Sequence, residues 1–177
     1  MESREPSQIV EQLRREQANA VQLYFLYKGY HWNVVGPLFY DLHLLFDAHA
    51  KEVLDSIDPL AERQRILGAP AEYHLDLLRR LGIVAGETKV PETPREMVEH
   101  LLDAHRLILR GLRTGVEIAD RAGDPGSSDL FTRLTVAHEK MEWFLRELLE
   151  SRLGLLEGLG FGGPASARSE GIAQMGA

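Results

Sequence analysis

The chain has 177 residues, enough for one sizeable core, and its 44% hydrophobic content is ordinary for a globular protein in water. A net charge of −7 disfavours non-specific nucleic-acid binding by the bulk surface and favours attraction of cations. The sequence has no cysteine, which excludes disulfides, thiolate metal sites and thiol nucleophiles.

The N-terminal stretch MESREPSQ is acidic and polar, without the basic and apolar regions of a signal peptide. No apolar run reaches the roughly 18 residues of a membrane span. A cytoplasmic protein is expected. The first helical pattern runs from about Ser7 to His31. Ser7 supplies an N-cap, and Ile9, Leu13, Ala20, Tyr24 and Tyr27 recur at helical spacing. The second opens after Gly36-Pro37, with proline suited to a first turn, and runs to about Leu67 before Gly68. A long connection follows, from Gly68 to Thr93, and carries a short amphipathic stretch ending at Gly82. The third pattern opens on the capping box Thr93-Pro94-Arg95-Glu96 and continues to Ala122. The fourth starts after the breaker Asp124-Pro125-Gly126-Ser127-Ser128 and ends near Gly154. Strand signals are nearly absent. These features predict an all-α four-helix bundle whose long crossover carries a short extra helix. One domain is expected over residues 1–154, with a short tail at 1–6. Residues 155–177, rich in Gly, Ala and Ser, read as a flexible C-terminal tail.

The second helix holds two separated pairs of metal-friendly side chains, His43 with Asp47 and Asp58 with Glu62. On an ideal helix all four lie within about 100° of one another, yet the two pairs are separated by about 22 Å along the axis. One chain cannot close them into one site. Two copies of the helix can, laid antiparallel about a twofold axis. The pairs His43/Glu62 and Asp47/Asp58 share one centre, between Glu52 and Val53. A single register therefore sets both ligands of one half against both ligands of the other, and an isologous contact creates two equivalent sites. Imidazole with several carboxylates suits iron, manganese or zinc. His31, at the end of the first helix, is a further candidate ligand. Polar i, i+4 pairs also form ordinary solvated faces; the neighbours Leu42, Leu45, Phe46, Val53, Leu54 and Ile57 favour a face at least partly buried. His49 falls about 240° from His43, away from the ligand face. Its place is interhelix, cavity-facing or exposed.

None of the seven histidines has Glu three positions before it, so the Glu-x-x-His signature of an intrachain di-iron bundle is missing. An H-E-x-x-H zinc motif is missing too, since His138-Glu139 leads to Met141-Glu142.

The run His31-Trp32-Asn33-Val34, then His43 and Asp47, then Asp58 and Glu62-Arg63, resembles the Dps family of mini-ferritins (DNA-binding proteins from starved cells). Asp129-Leu130-x-Thr132 and His138-Glu139-Lys140-x-x-Trp143 extend the resemblance, which covers about residues 10 to 152. It implies a ferritin-like subunit in a hollow dodecamer. It also implies ferroxidase centres at twofold interfaces, oxidation of Fe(II) preferably by hydrogen peroxide rather than oxygen, ferric mineral storage, and protection against oxidative damage. By this match His31, His43 and Asp47 come from one subunit and Asp58 and Glu62 from its partner. Trp32 matches the family's tryptophan beside the centre, with a sacrificial electron-donor role implied and aromatic packing as the simpler use. Asp120, Asp124 and Asp129 flank the turn where the family has acidic threefold pores that admit iron; turn initiation by Asp124 and a helix N-terminus beside Asp129 are simpler uses. His49, His100 and His105 have no assigned role, although extra histidines in relatives bind zinc.

DNA binding is expected to be weak or absent, which makes nucleoid association a secondary expectation. Arg4 is set against Glu2 and Glu5, and Arg168 against Glu157 and Glu170, so neither tail is a polycationic arm. Two other readings stand beside the ferroxidase: a DNA-compacting structural protein, and a cage that holds zinc on the same ligands with little ferroxidase activity.

Overall fold

The computed structural model describes residues 7–84 and 89–150, and among these it has five helices and no strand. The elements are α1 (Gln8–Asn33), α2 (Phe39–Ile66), α3 (Leu75–Leu81), α4 (Pro94–Arg121) and α5 (Pro125–Leu149). The four long helices form the predicted bundle. Two hairpins, α1–α2 and α4–α5, pack through α1 on α4 and α2 on α5. The crossover lays α3 against α1. Both terminal tails of the sequence reading lie outside the described residues.

Local chemistry explains the boundaries. The Ser7 hydroxyl accepts from the Val10 N–H, and Thr93 with Glu96 forms the reciprocal capping box. Gly68 and Gly123, with φ of 84° and 68°, follow α2 and α4 in the left-handed conformation that ends a helix. The start of α5 differs from expectation. Asp124-Pro125-Gly126 is not a breaker before the helix: Asp124 is the N-cap, and Pro125 occupies the first turn, where its missing N–H costs nothing. α2 runs unbroken through Pro59, which removes only one i→i−4 hydrogen bond. The two pairs of candidate ligands therefore sit on one continuous helix.

Leu13, Leu23, Phe46, Leu60, Leu101, Leu112, Phe131 and Leu145 make the buried centre. Each such side chain contributes roughly 1.5–3 kcal/mol of transfer free energy. At Gly115 the Phe131 ring lies where a Cβ would meet it at 2.9 Å, so that residue lets α5 close on α4. A polar inclusion interrupts the apolar seam. Glu16 is buried between α1 and α4, accepting from Gln12 (2.7 Å) and Asn19 (3.0 Å), and burial raises its carboxyl to about 7.

Candidate metal centre

His31 stands in the last turn of α1, and His43 lies early in α2, across the turn from it. The two rings stack at 3.7 Å with 20° between their planes. His31 Nδ1 lies 2.8 Å from the His43 carbonyl oxygen, and His43 Nδ1 lies 2.9 Å from the His31 carbonyl oxygen. A carbonyl can only accept, so each Nδ1 carries its proton and donates. In the neutral imidazole this leaves both Nε2 atoms with a free lone pair. Such a main-chain clamp on the far nitrogen is how metal-ligating histidines are commonly held.

Asp47 lies one turn beyond His43, with its Oδ1 4.0 Å from His31 Nε2. Lys28 donates to the same oxygen at 2.6 Å. That hydrogen bond holds the Asp47 carboxyl below the usual carboxylate range. The Lys28 ammonium also stands 5.7 Å from the Trp32 ring centroid. Trp32 itself is 65% exposed, so packing within its own chain does not account for it.

Asp58 and Glu62 are exposed further along α2. They are not brought to the histidines. Among the described residues, no group of three or more His, Asp or Glu side chains in one chain is placed to hold a metal ion. Around these pairs α2 also exposes apolar side chains, Tyr40, Leu44 and Leu54. Val53 differs from its neighbours: it is fully buried in its own subunit and cannot face a partner.

The three aspartates near the α4–α5 turn are treated unequally. Asp124 accepts from the Ser127 N–H and hydroxyl and is paired with Arg63. These contacts keep its carboxyl low against the opposing effect of burial. Its carboxylate is thus committed to the cap and to α2. Asp120 is exposed, and Asp129 is exposed and paired with Arg133 at 2.8 Å.

Two features escaped sequence reasoning. Lys28 becomes significant only when the hairpin brings it to Asp47. The second is a hydrogen-bonded cluster in the bundle centre, formed by Tyr27, His105 and His138 with His49, which takes the interhelix place among its three expected ones. The available signal was a polar residue on the apolar stripe of each long helix. His100 meets the Tyr30 hydroxyl at 3.0 Å.

A family model described as Ferritin-like domain matches residues 10–153. The Dps of Thermosynechococcus elongatus, known from an X-ray structure, is 42% identical over 84% of this chain and 94% of that one, with a TM-score of 0.81. The DNA protection during starvation protein 1 of Deinococcus radiodurans is 30% identical over 151 residues, covering 85% of this chain and 72% of its own length. A Vibrio cholerae Dps, described as a member of a broad superfamily of ferritin-like diiron-carboxylate proteins, is 28% identical over 80% of this chain and 89% of that one, with a TM-score of 0.77. Four-helix architecture, the chain-length match and these relatives agree: the chain belongs to the ferritin-like family and, within it, to the Dps proteins.

Proposed function

We propose that this protein stores iron and detoxifies it, oxidising Fe(II) at centres completed between two subunits. The reciprocal clamp of His31 and His43 carries the reading, since it frees both Nε2 atoms and leaves that of His31 4.0 Å from Asp47. His31, His43 and Asp47 are the half-site of one subunit; Asp58 and Glu62 of a second copy complete it. The exposed apolar residues of α2 support a helix partner over this face. The superfamily named for the Vibrio cholerae relative supports a carboxylate-rich iron site.

The division of labour follows from charge. Carboxylates favour the ferric product, while neutral imidazoles complete the shell without adding charge. Hydrogen peroxide is the preferred oxidant and oxygen the slower one. Two Fe(II) ions each supply one electron, the O–O bond breaks, and protons convert the oxygens to water. The ferric product is kept as mineral inside a dodecameric cage. Lys28 tunes entry to the site: its ammonium already neutralises Asp47 and must yield to an incoming cation. Trp32 serves in this reading as an electron donor to stray oxidants. Asp120 and Asp129 serve an acidic pore that admits iron, whereas Asp124 does not. Tails without a basic arm leave DNA binding weak or absent.

A zinc-holding cage is the second reading, because imidazole and carboxylate are equally zinc ligands. Anaerobic loading with Fe(II), followed by peroxide or oxygen, separates the two. Rapid growth of ferric absorbance, faster with peroxide, is expected. Stoichiometric zinc binding with no faster oxidation than in buffer would leave the zinc reading standing.

A further inference from the structure

The bundle centre holds a cluster that the metal centre does not use, with one group from each long helix: Tyr27 of α1, His49 of α2, His105 of α4 and His138 of α5. The Tyr27 hydroxyl lies 3.0 Å from His49 Nδ1 and 2.6 Å from His105 Nε2. The other ring nitrogen of His105 lies 2.9 Å from His138 Nδ1. His105 is 0% exposed and His138 3%.

Each of the three contacts holds one proton. Neutral groups satisfy all three: His49 donates to Tyr27, Tyr27 to His105 and His105 to His138, or every direction reverses. One added proton on either His105 or His138 still leaves a donor and an acceptor in the contact between them. A second does not. With both imidazoles protonated, N–H faces N–H across 2.9 Å, and two positive charges share a site closed to water. The groups acting on the cluster offer little relief. On α1 there is the neutral Tyr27 phenol. On α2 there are His49 and Glu52, the carboxylate that Tyr27 feels. On α5 there is Lys140, whose charge acts on His49 and has the wrong sign. Burial pushes His105 well below its ordinary range and His138 down to about 4.

We propose that the His105–His138 contact is an acid-sensitive latch between α4 and α5, holding while both imidazoles are neutral and opening when both are protonated. The direction follows from linkage. In the open state both histidines take up protons near the ordinary value of 6.5; in the closed state His138 does so only near 4. The closed form keeps its full advantage above about pH 6.5 and loses it as pH falls from there toward 4. Each histidine changes the closed-to-open ratio by up to tenfold per pH unit in that window, so the pair reaches about a hundredfold. The only covalent bonds formed are N–H bonds to the added protons, which neutralisation removes again, so the latch recloses. Neither histidine is a proposed iron ligand, and the latch stands whether or not the ferroxidase reading does.

Peptide-level hydrogen exchange on the assembled, metal-free protein tests it, between pH 7 and 4.5 and corrected for intrinsic rates. Peptides around His105 and His138 should lose protection before those of the N-terminal half of α1, and regain it at pH 7. His105→Gln and His138→Gln should each remove about one proton from the pH slope, because an amide can accept the hydrogen bond but does not titrate. His74→Gln, at an exposed histidine, should leave the slope unchanged. Equal slopes in wild type and both core variants would overturn the latch. So would wild-type exchange that accelerates uniformly along all helices, and that measurement decides the matter alone if neither core variant folds.

Discussion

His31 and His43 are each oriented by the other's main chain, so neither ring needs a separate side chain to hold it. Asp47 is different, because it is compensated before any cation arrives. Lys28→Met removes the competing ammonium and its hydrogen bond. Zinc or anaerobic Fe(II) affinity, read by titration calorimetry, should rise a few-fold, a modest effect because the Asp47 carboxylate is exposed to water. A fall in affinity would mean that Lys28 orients Asp47 rather than competing for it. Glu16 offers a test by pH. Its carboxyl is raised from 4.5 to about 7 by burial, so the folded state binds a proton that the unfolded state releases. Stability from this residue is fully present below about pH 4.5 and is lost as pH rises through 7. Glu16→Gln should therefore flatten that slope. Denaturation at pH 8 should find the variant more stable, by at most about 3 kcal/mol. An unchanged slope would show that Glu16 ionises without cost.

In the proposed function, α2 is the element on which site and assembly meet. Leu54 is 45% exposed and shares the face of Asp58. Leu54→Arg should weaken the twofold contact, shift light scattering toward smaller species and slow iron oxidation in proportion. Val53, close to the expected axis, is the wrong place for that test: a charge there would enter the subunit core. Helical periodicity and caps made the bundle legible, and the capping box Thr93-Pro94-Arg95-Glu96 fixed a boundary from four residues. Pro125-Gly126 misled because proline stops a helix only after its first turn. That His43, Asp47, Asp58 and Glu62 share one helix was legible for a similar reason, since spacing along one helix is local information. Lys28 against Asp47, and the tyrosine–histidine cluster, depend on which helices become neighbours; a polar residue on an apolar stripe signals a buried position but not its partners.

At the scale of the whole molecule, the proposed second copy would account together for the absence of three converging ligands within one chain's described residues and for the exposed apolar side chains of α2. The acidic balance of the chain carries a further consequence. A gel shift near physiological salt, with divalent cations controlled, should show little DNA retardation. Tight binding that weakens steeply with added salt would reverse that expectation.

The shared site itself is tested by mixing subunits. His43→Ala with Asp47→Ala removes one half of every centre, and Asp58→Ala with Glu62→Ala removes the other. Either double variant alone should lose fast Fe(II) oxidation. Where unlike subunits meet, one of the two sites has both halves intact and the other has neither. Co-assembly at equal ratio should therefore restore about a quarter of the sites, because half of random twofold contacts are unlike. Oxidation at about a quarter of the wild-type rate, in assemblies that mass spectrometry shows to be mixed, is the predicted result. Mixed assemblies no more active than either double variant would contradict a centre built between subunits.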